Sequence, residues 1–262
     1  METLHARIYG EDKPGTPLLV LHGLFGMSDN WGTFGRLFGE QHQIHAIDLR
    51  NHGHSFHDEE MSIAAMVEDL VHYIEQLGLQ EIDLLGHSLG GKVAMQYALT
   101  KSTKIRKLII ADIAPKEYPP HHQKIMDALD AIVIGELANR KEVEAELRKY
   151  LDEVGVIQFL LKNVYIKEDR SLAWRFNKKV LTEKYAEFIT VAVEPGVYEG
   201  ETLFLAGERS NYILPEDHAM IKGMFPNAQI DTIPAAGHWI QAENPKVFNE
   251  KVAEFLTWNT NL

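Results

Sequence analysis

The sequence predicts an α/β protein: a mostly parallel sheet covered by helices, with a mainly helical cap inserted after the sixth strand. Three observations predict it. Short apolar runs, such as Leu18 to Leu21 and Ile105 to Ala111, alternate with segments of helical spacing. Gly86-His87-Ser88-Leu89-Gly90 joins one such run, Ile82 to Leu85, to a helix rich in small residues. Residues 116–197 then change character and read as charged, amphipathic helices between two sheet strands. The core is therefore expected over residues 1–115 and 198–262, and the cap over residues 116–197.

The turn at Ser88 carries the chemistry. A sharp strand-to-helix turn lifts the serine Oγ above the sheet, and Gly86 and Gly90 remove side chains that would collide across it. The helix that follows, Lys92 to Thr100, points its free N–H groups at the same place, where negative charge can be stabilised. Taken alone, a G-x-S-x-G pattern also fits an ordinary glycine-rich turn. The flanking strand and helix separate the two readings.

The remaining elements follow in order. Thr3 to Tyr9 alternates and suggests an antiparallel edge strand. Asp12, Pro14, Gly15 and Pro17 punctuate a turn before the strand Leu18 to Leu21. His22-Gly23-Leu24-Phe25-Gly26 then lets backbone approach a ligand. The N–H groups of Leu24 and Leu89 are the expected oxyanion-hole donors, with Phe25 lining the acyl side of the pocket. Asn30 to Gly39 reads as a short helix with Trp31, Phe34, Leu37 and Phe38 inward. Gln43 to Leu49 is the next strand.

The loop from Asp48 to His57 holds His52, His54 and His57. Their spacing matches zinc sites poorly, and a loop locked by Asp48 and Arg50 hydrogen bonds to backbone is the simpler reading. Ser62 is placed to cap a helix from Ile63 to Leu77, with Glu68 and Asp69 outward, Leu77 inward and Gly78 ending it. In the cap, Ile125, Leu129, Ile132 and Val133 form one stripe. Val143, Leu147, Tyr150 and Leu151 form a second, and Val156, Phe159 and Leu160 a third. Ala173 to Phe176 is the one short strand expected there. Strands at Thr202 to Ala206 and Gln229 to Ile233 and helices opening at Pro215 and near Pro245 complete the chain.

Composition bounds the function. The 262 residues allow one large domain or one domain with a smaller insertion. There is no cysteine, so neither a disulfide nor a thiolate nucleophile or metal ligand can form. A net charge of −12 argues against nucleic-acid or anionic-membrane binding. No apolar run approaches the roughly 20 residues of a membrane span, and Met1 to His5 lacks a secretory pattern. A cytoplasmic enzyme is the expectation.

Ser88, Asp112 and His238 each fall just past a strand end, where ligands bind in parallel sheets. Their order, Ser then Asp then His, fits a nucleophile-elbow hydrolase. His238 stands alone after the last strand, behind Gly237 and before Trp239, which with His87 is expected to line the substrate site.

The chain resembles the α/β-hydrolases, and within them the YbfF-type esterases and their mitochondrial relatives. The resemblance rests on His22 to Gly26, Asp48 to Gly53, Gly86 to Lys92, Asp112 to Pro115, Gly155 to Leu161, Trp174 to Asn177 and Ala236 to Trp239. It implies ester or thioester hydrolysis without a cofactor or metal. In the broader superfamily the acid commonly sits in a G-x-x-D turn after the strand that here is Thr202 to Ala206. This chain has Gly207-Glu208-Arg209-Ser210 instead. Asp112 is therefore the expected acid, ahead of Glu208 or Asp217. Ser210 is either a fourth, orienting member or a turn residue.

The expected function is a serine hydrolase acting on a small acyl ester through an acyl-enzyme. An acyl-CoA thioesterase on the same triad is the alternative, with Lys124, Lys162, Lys167 or Arg175 as receivers of an anionic nucleotide. C–C hydrolase and perhydrolase chemistry would use the same triad. Dehalogenase and epoxide hydrolase chemistry would need an aspartate in place of Ser88. From another class, such a fold with a dead site can serve as a ligand-binding protein. A homo-oligomer is compatible with the sequence.

Overall fold

A computed structural model describes residues 2–258. In chain order it contains β1 (Ala6–Tyr9), β2 (Leu18–Leu21), α1 (Gly32–Phe38), β3 (Ile44–Ile47), α2 (Ile63–Gln76), β4 (Ile82–His87), α3 (Leu89–Lys101) and β5 (Ile105–Ala111). There follow α4 (Gln123–Ala131), α5 (Arg140–Leu147), α6 (Val154–Leu161), β6 (Val164–Ile166), β7 (Leu172–Trp174), α7 (Lys178–Glu183) and α8 (Tyr185–Phe188). The chain returns through β8 (Glu201–Gly207), α9 (His218–Met224), β9 (Ala228–Ile233), α10 (Ile240–Glu243) and α11 (Pro245–Leu256).

Seven strands form one sheet in the order β1-β3-β2-β4-β5-β8-β9. Only β1 runs antiparallel, against β3; the other pairs are parallel. The central strands alternate strictly between two packed faces. Leu19, Leu21, Leu84, Leu108, Ile110 and Phe204 enter one core cluster, while Leu18, Val20, Leu85, Ile109, Leu203 and Leu205 enter the other. That is the period of two of a strand buried on both sides. Each such side chain contributes about 1.5–3 kcal/mol of burial.

Register brings the strand ends level. Leu21 pairs with Gly86, Gly86 with Ile110, and Ala111 with Leu205. The loops after β2, β4, β5 and β8 therefore emerge side by side. Helices α4 to α8 and the β6-β7 hairpin occupy the stretch between β5 and β8. Their apolar residues, including Leu129, Leu147, Leu160 and Phe188, join the same cluster as α2 and α3.

Several expectations are corrected. The helical insertion follows the fifth strand of the sheet, not the sixth. It contains a two-stranded hairpin, with β6 pairing to β7; Val164–Ile166 is too short and too flanked by charge to read as a strand. Leu37 and Leu77 are exposed, each lying at a helix end where the apolar stripe has rotated off the core. Val133 is likewise exposed at the end of its stripe, and Tyr150 is exposed just beyond α5 beside buried Leu151. Asp69, read as outward, is 1% exposed because the loop after β3 covers this side of α2 and places Arg50 on it. The guanidinium Nε and Nη2 donate to Asp69 Oδ2 and Oδ1 at 2.5 and 2.8 Å. Ser62 does cap α2, its side chain accepting from Ala65 N, and Gly78 follows that helix with φ +64°.

Candidate active site

Ser88 stands between β4 and α3 with φ +54°, in the left-handed region that costs a non-glycine residue free energy. Tertiary contacts hold it there. Its N–H donates to Ala111 O, and Gly90 N donates to His22 O. A Cβ on Gly86 would lie 2.2 Å from Gly90 O, and one on Gly90 would lie 2.6 Å from Leu21 O and from His22 O. Glycine at both positions is thus required by close backbone approach.

The loop after β2 lies against this turn. A Cβ on Gly23 would come within 3.2 Å of Ser88 Cβ. Among the described residues, neither the Leu24 nor the Leu89 N–H is given to another protein group, so both remain available as donors. Phe25, φ +58° and 1% exposed, is wedged against Phe176 with ring centroids 4.9 Å apart.

Ser88, His238 and Asp112 meet in one hydrogen-bonded line. Ser88 Oγ is 3.0 Å from His238 Nε2, and His238 Nδ1 is 2.8 Å from Asp112 Oδ2. Asp112 is fully buried just past β5, with φ +50°. Its Oδ1 accepts from Gly207 N at 2.8 Å, and its Oδ2 also accepts from Ser210 Oγ at 2.5 Å. Glu208 and Asp217 are engaged elsewhere: Glu208 accepts from Ala235 N, and Asp217 pairs with Lys116.

Electrostatics favour the form in which His238 can accept a proton. Burial pushes its imidazole down to about 3. Burial pushes the Asp112 carboxyl up to about 6, against the pull of the Gly207 and Ser210 hydrogen bonds. Above about pH 6 the carboxylate is therefore ionised and the imidazole neutral.

His87 Nε2 donates to the His238 carbonyl at 2.8 Å, so it holds the histidine loop as well as lining the cavity beside Ser88. Trp239 lines the same cavity, with Ile125 and Phe159 from the helical insertion. Of the basic residues considered for an anionic ligand, none lines it. His52 hydrogen-bonds Arg50 O, His57 hydrogen-bonds Arg175 O, and His54 N donates to Asp48. These histidines belong to the locked loop: Asp48 also accepts from Ser28 N, and Arg50 donates to Glu60 O.

Two tyrosines complete the surroundings and were not legible in the sequence. Tyr212 lies flat on the His238 ring. The Tyr118 hydroxyl accepts from Ala114 N at 2.8 Å and donates to Tyr212 O at 2.5 Å, tying the loop after Asp112 to the loop after β8. Neither residue has a periodic or motif signal, because each acts on a loop distant in sequence.

Comparison with known proteins places the chain in a family. The family model for the α/β-hydrolase fold matches residues 16–245, and the chain belongs to that family. Within it the chain is of the YbfF esterase type. It is 35% identical over 242 residues to esterase YbfF of Escherichia coli (strain K12), covering 92% of this chain and 93% of that one. It is 35% identical over 247 residues to the sn-1-specific diacylglycerol lipase ABHD11 of Mus musculus, covering 91% of this chain and 80% of the mouse protein. Among solved structures, a marine microorganism esterase superposes with TM-score 0.94 at 40% identity, covering 97% of this chain and all of that one.

Proposed function

We propose that this protein is a serine esterase that cleaves small carboxylic esters through an acyl-enzyme on Ser88. The observation that carries the reading is the Ser88–His238–Asp112 line, with both contacts at hydrogen-bond distance. His238 Nε2 takes the Ser88 proton as Oγ attacks the acyl carbonyl. Asp112 holds the tautomer that leaves Nε2 free and stabilises the imidazolium. The Leu24 and Leu89 N–H groups receive the oxyanion, and losing one such donor costs about 3 kcal/mol. His238 then protonates the leaving alcohol, and water releases the acid by the reverse sequence. Ser210 acts through Asp112 by hydrogen-bonding the oxygen that faces His238. We treat residues 116–197 as the cap over this site.

The test is hydrolysis of aryl esters beside matching acyl-CoAs, with mass detection of Ser88 acylation by a fluorophosphonate. Ser88→Ala is expected to abolish both turnover and labelling. Asp112→Asn is expected to lower kcat by about 10⁴-fold. Full hydrolytic rate in Ser88→Ala would overturn the reading, and preference for acyl-CoA would replace ester by thioester as the substrate.

A further inference from the structure

We infer that the substrate's acyl group is short, of about two to four carbons, and that Phe159 of the cap sets that limit. This deepens the esterase reading and rests on it. The cavity that holds Ser88 and His238 amounts to about 50 Å³. For scale, an apolar cavity of about 150 Å³ takes a benzene ring. A third of that volume takes a few non-hydrogen atoms and no long chain.

Beside the cavity, cap and core are in contact. The Phe159 ring, from α6, lies 5.7 Å from the ring of Trp239, the residue after His238. Ile125, from α4, fills beside it. Both helices are tied down, so the contact is not one rotamer's accident. One turn beyond Phe159, the side chain of Asn163 donates to Phe25 O at 2.9 Å, and Asn163 is 1% exposed. This bond pins the end of α6 to the loop after β2. Ile157 and Leu160, flanking Phe159, are fully buried. At the start of α4, His122 is hydrogen-bonded to the Tyr185 hydroxyl of α8 at 2.6 Å. A longer acyl chain would have to displace Phe159 against these anchors. Side-chain truncation, by contrast, would open the space at little cost to the backbone.

The experiment is a kcat/KM series on p-nitrophenyl esters from acetate to laurate, for the unaltered protein, Phe159→Ala, Phe159→Leu and Ile125→Ala. Fluorophosphonate labelling of Ser88 is followed in parallel. The unaltered protein is expected to peak between acetate and butyrate and to fall at least tenfold by octanoate. Phe159→Ala is expected to raise the octanoate-to-acetate ratio at least tenfold, and Phe159→Leu by less. If Phe159→Ala fails to fold, the Leu and Ile125→Ala proteins carry the same comparison. An octanoate or laurate rate equal to the butyrate rate in the unaltered protein would overturn the inference and leave the esterase reading standing. So would an unchanged ratio in all three variants. Absence of both ester turnover and Ser88 labelling would instead overturn the esterase reading and the inference with it.

Discussion

The ring of Tyr212 lies parallel to the imidazole of His238, with centroids 3.8 Å apart and planes at 17°. The contact covers one face of the proposed base and limits its rotation about χ2. It also withdraws that face from water, which adds to the burial that disfavours imidazolium. Also around His238 are Asp112, Ser88, the His87 ring at 4.8 Å and Trp239, with Glu243, His121 and His122 acting through charge.

Tyr212→Ala is therefore expected to lower kcat about 3–10-fold, the worth of a stacked pair, with little change in KM. Water reaching the imidazole should ease its protonation, so the acid limb of the pH–kcat profile should move to higher pH. Tyr118→Phe, which removes both hydrogen bonds of the hydroxyl, should produce a weaker version of the same change. An unmoved acid limb in Tyr212→Ala would show that the stacking has no influence on the base.

Gly207→Ala tests how closely two loops must approach. The added Cβ would sit 2.2 Å from Gly237 O, immediately before His238. Gly207 also gives its N–H to Asp112. Moving either loop by about 1 Å misaligns the proton path, and such a displacement costs on the order of 10² in rate. A kcat loss of that size is expected, with Ser88 still in place for labelling. A variant of normal kcat would argue that the loops relax around the methyl group.

The Arg50–Asp69 pair is a buried bidentate contact under the locked loop after β3. Breaking it with Arg50→Met leaves a buried carboxylate unpaired and should cost about 3–5 kcal/mol. Replacing both residues, as Arg50→Met with Asp69→Leu, should recover a large part of that loss. Urea denaturation of the two variants decides it. Equal stability of the single and double replacements would mean the pair has no special role.

Acid sensitivity follows from buried histidines. Burial pushes His45 and His122 down to about 4, and His52, His87 and His238 to about 3. In the unfolded chain each titrates near 6.5. Between these values the unfolded chain binds more protons, so stability is intact above about pH 6.5 and is lost progressively as pH falls toward 4. At pH 5 each such histidine costs about 2 kcal/mol. Asp112, whose carboxyl burial raises to about 6, offsets part of this because the native state then binds the extra proton. Thermal melts are expected to show Tm falling from pH 7 to pH 5, and a flat Tm across that interval would contradict the burial of these rings.

Much of the candidate site was legible in the sequence. Ser88 and His238 announce themselves by local pattern, since a strained strand-to-helix turn needs glycines at fixed offsets and a lone histidine after the last strand has few other uses. Asp112 could be inferred because the turn at Gly207 carries serine where an acid would otherwise stand. Asp69 was misread because amphipathic spacing assumes that a charged residue seeks water, whereas here a loop distant in sequence brings Arg50 to it. Tyr118, Tyr212 and Asn163 had no local signal at all.

The strands, their two-faced burial and the nucleophile turn come from local chemistry: the apolar alternation, the caps and the glycine spacing act over a few residues. The meeting of four strand ends, the contact of Phe159 with Trp239 beside the cavity and the stacking of Tyr212 on His238 come from register and packing between segments far apart in the chain. Reactive chemistry is readable from residue type and spacing, whereas the size of the acyl group admitted depends on volumes left between packed side chains, and those exist only in the folded chain.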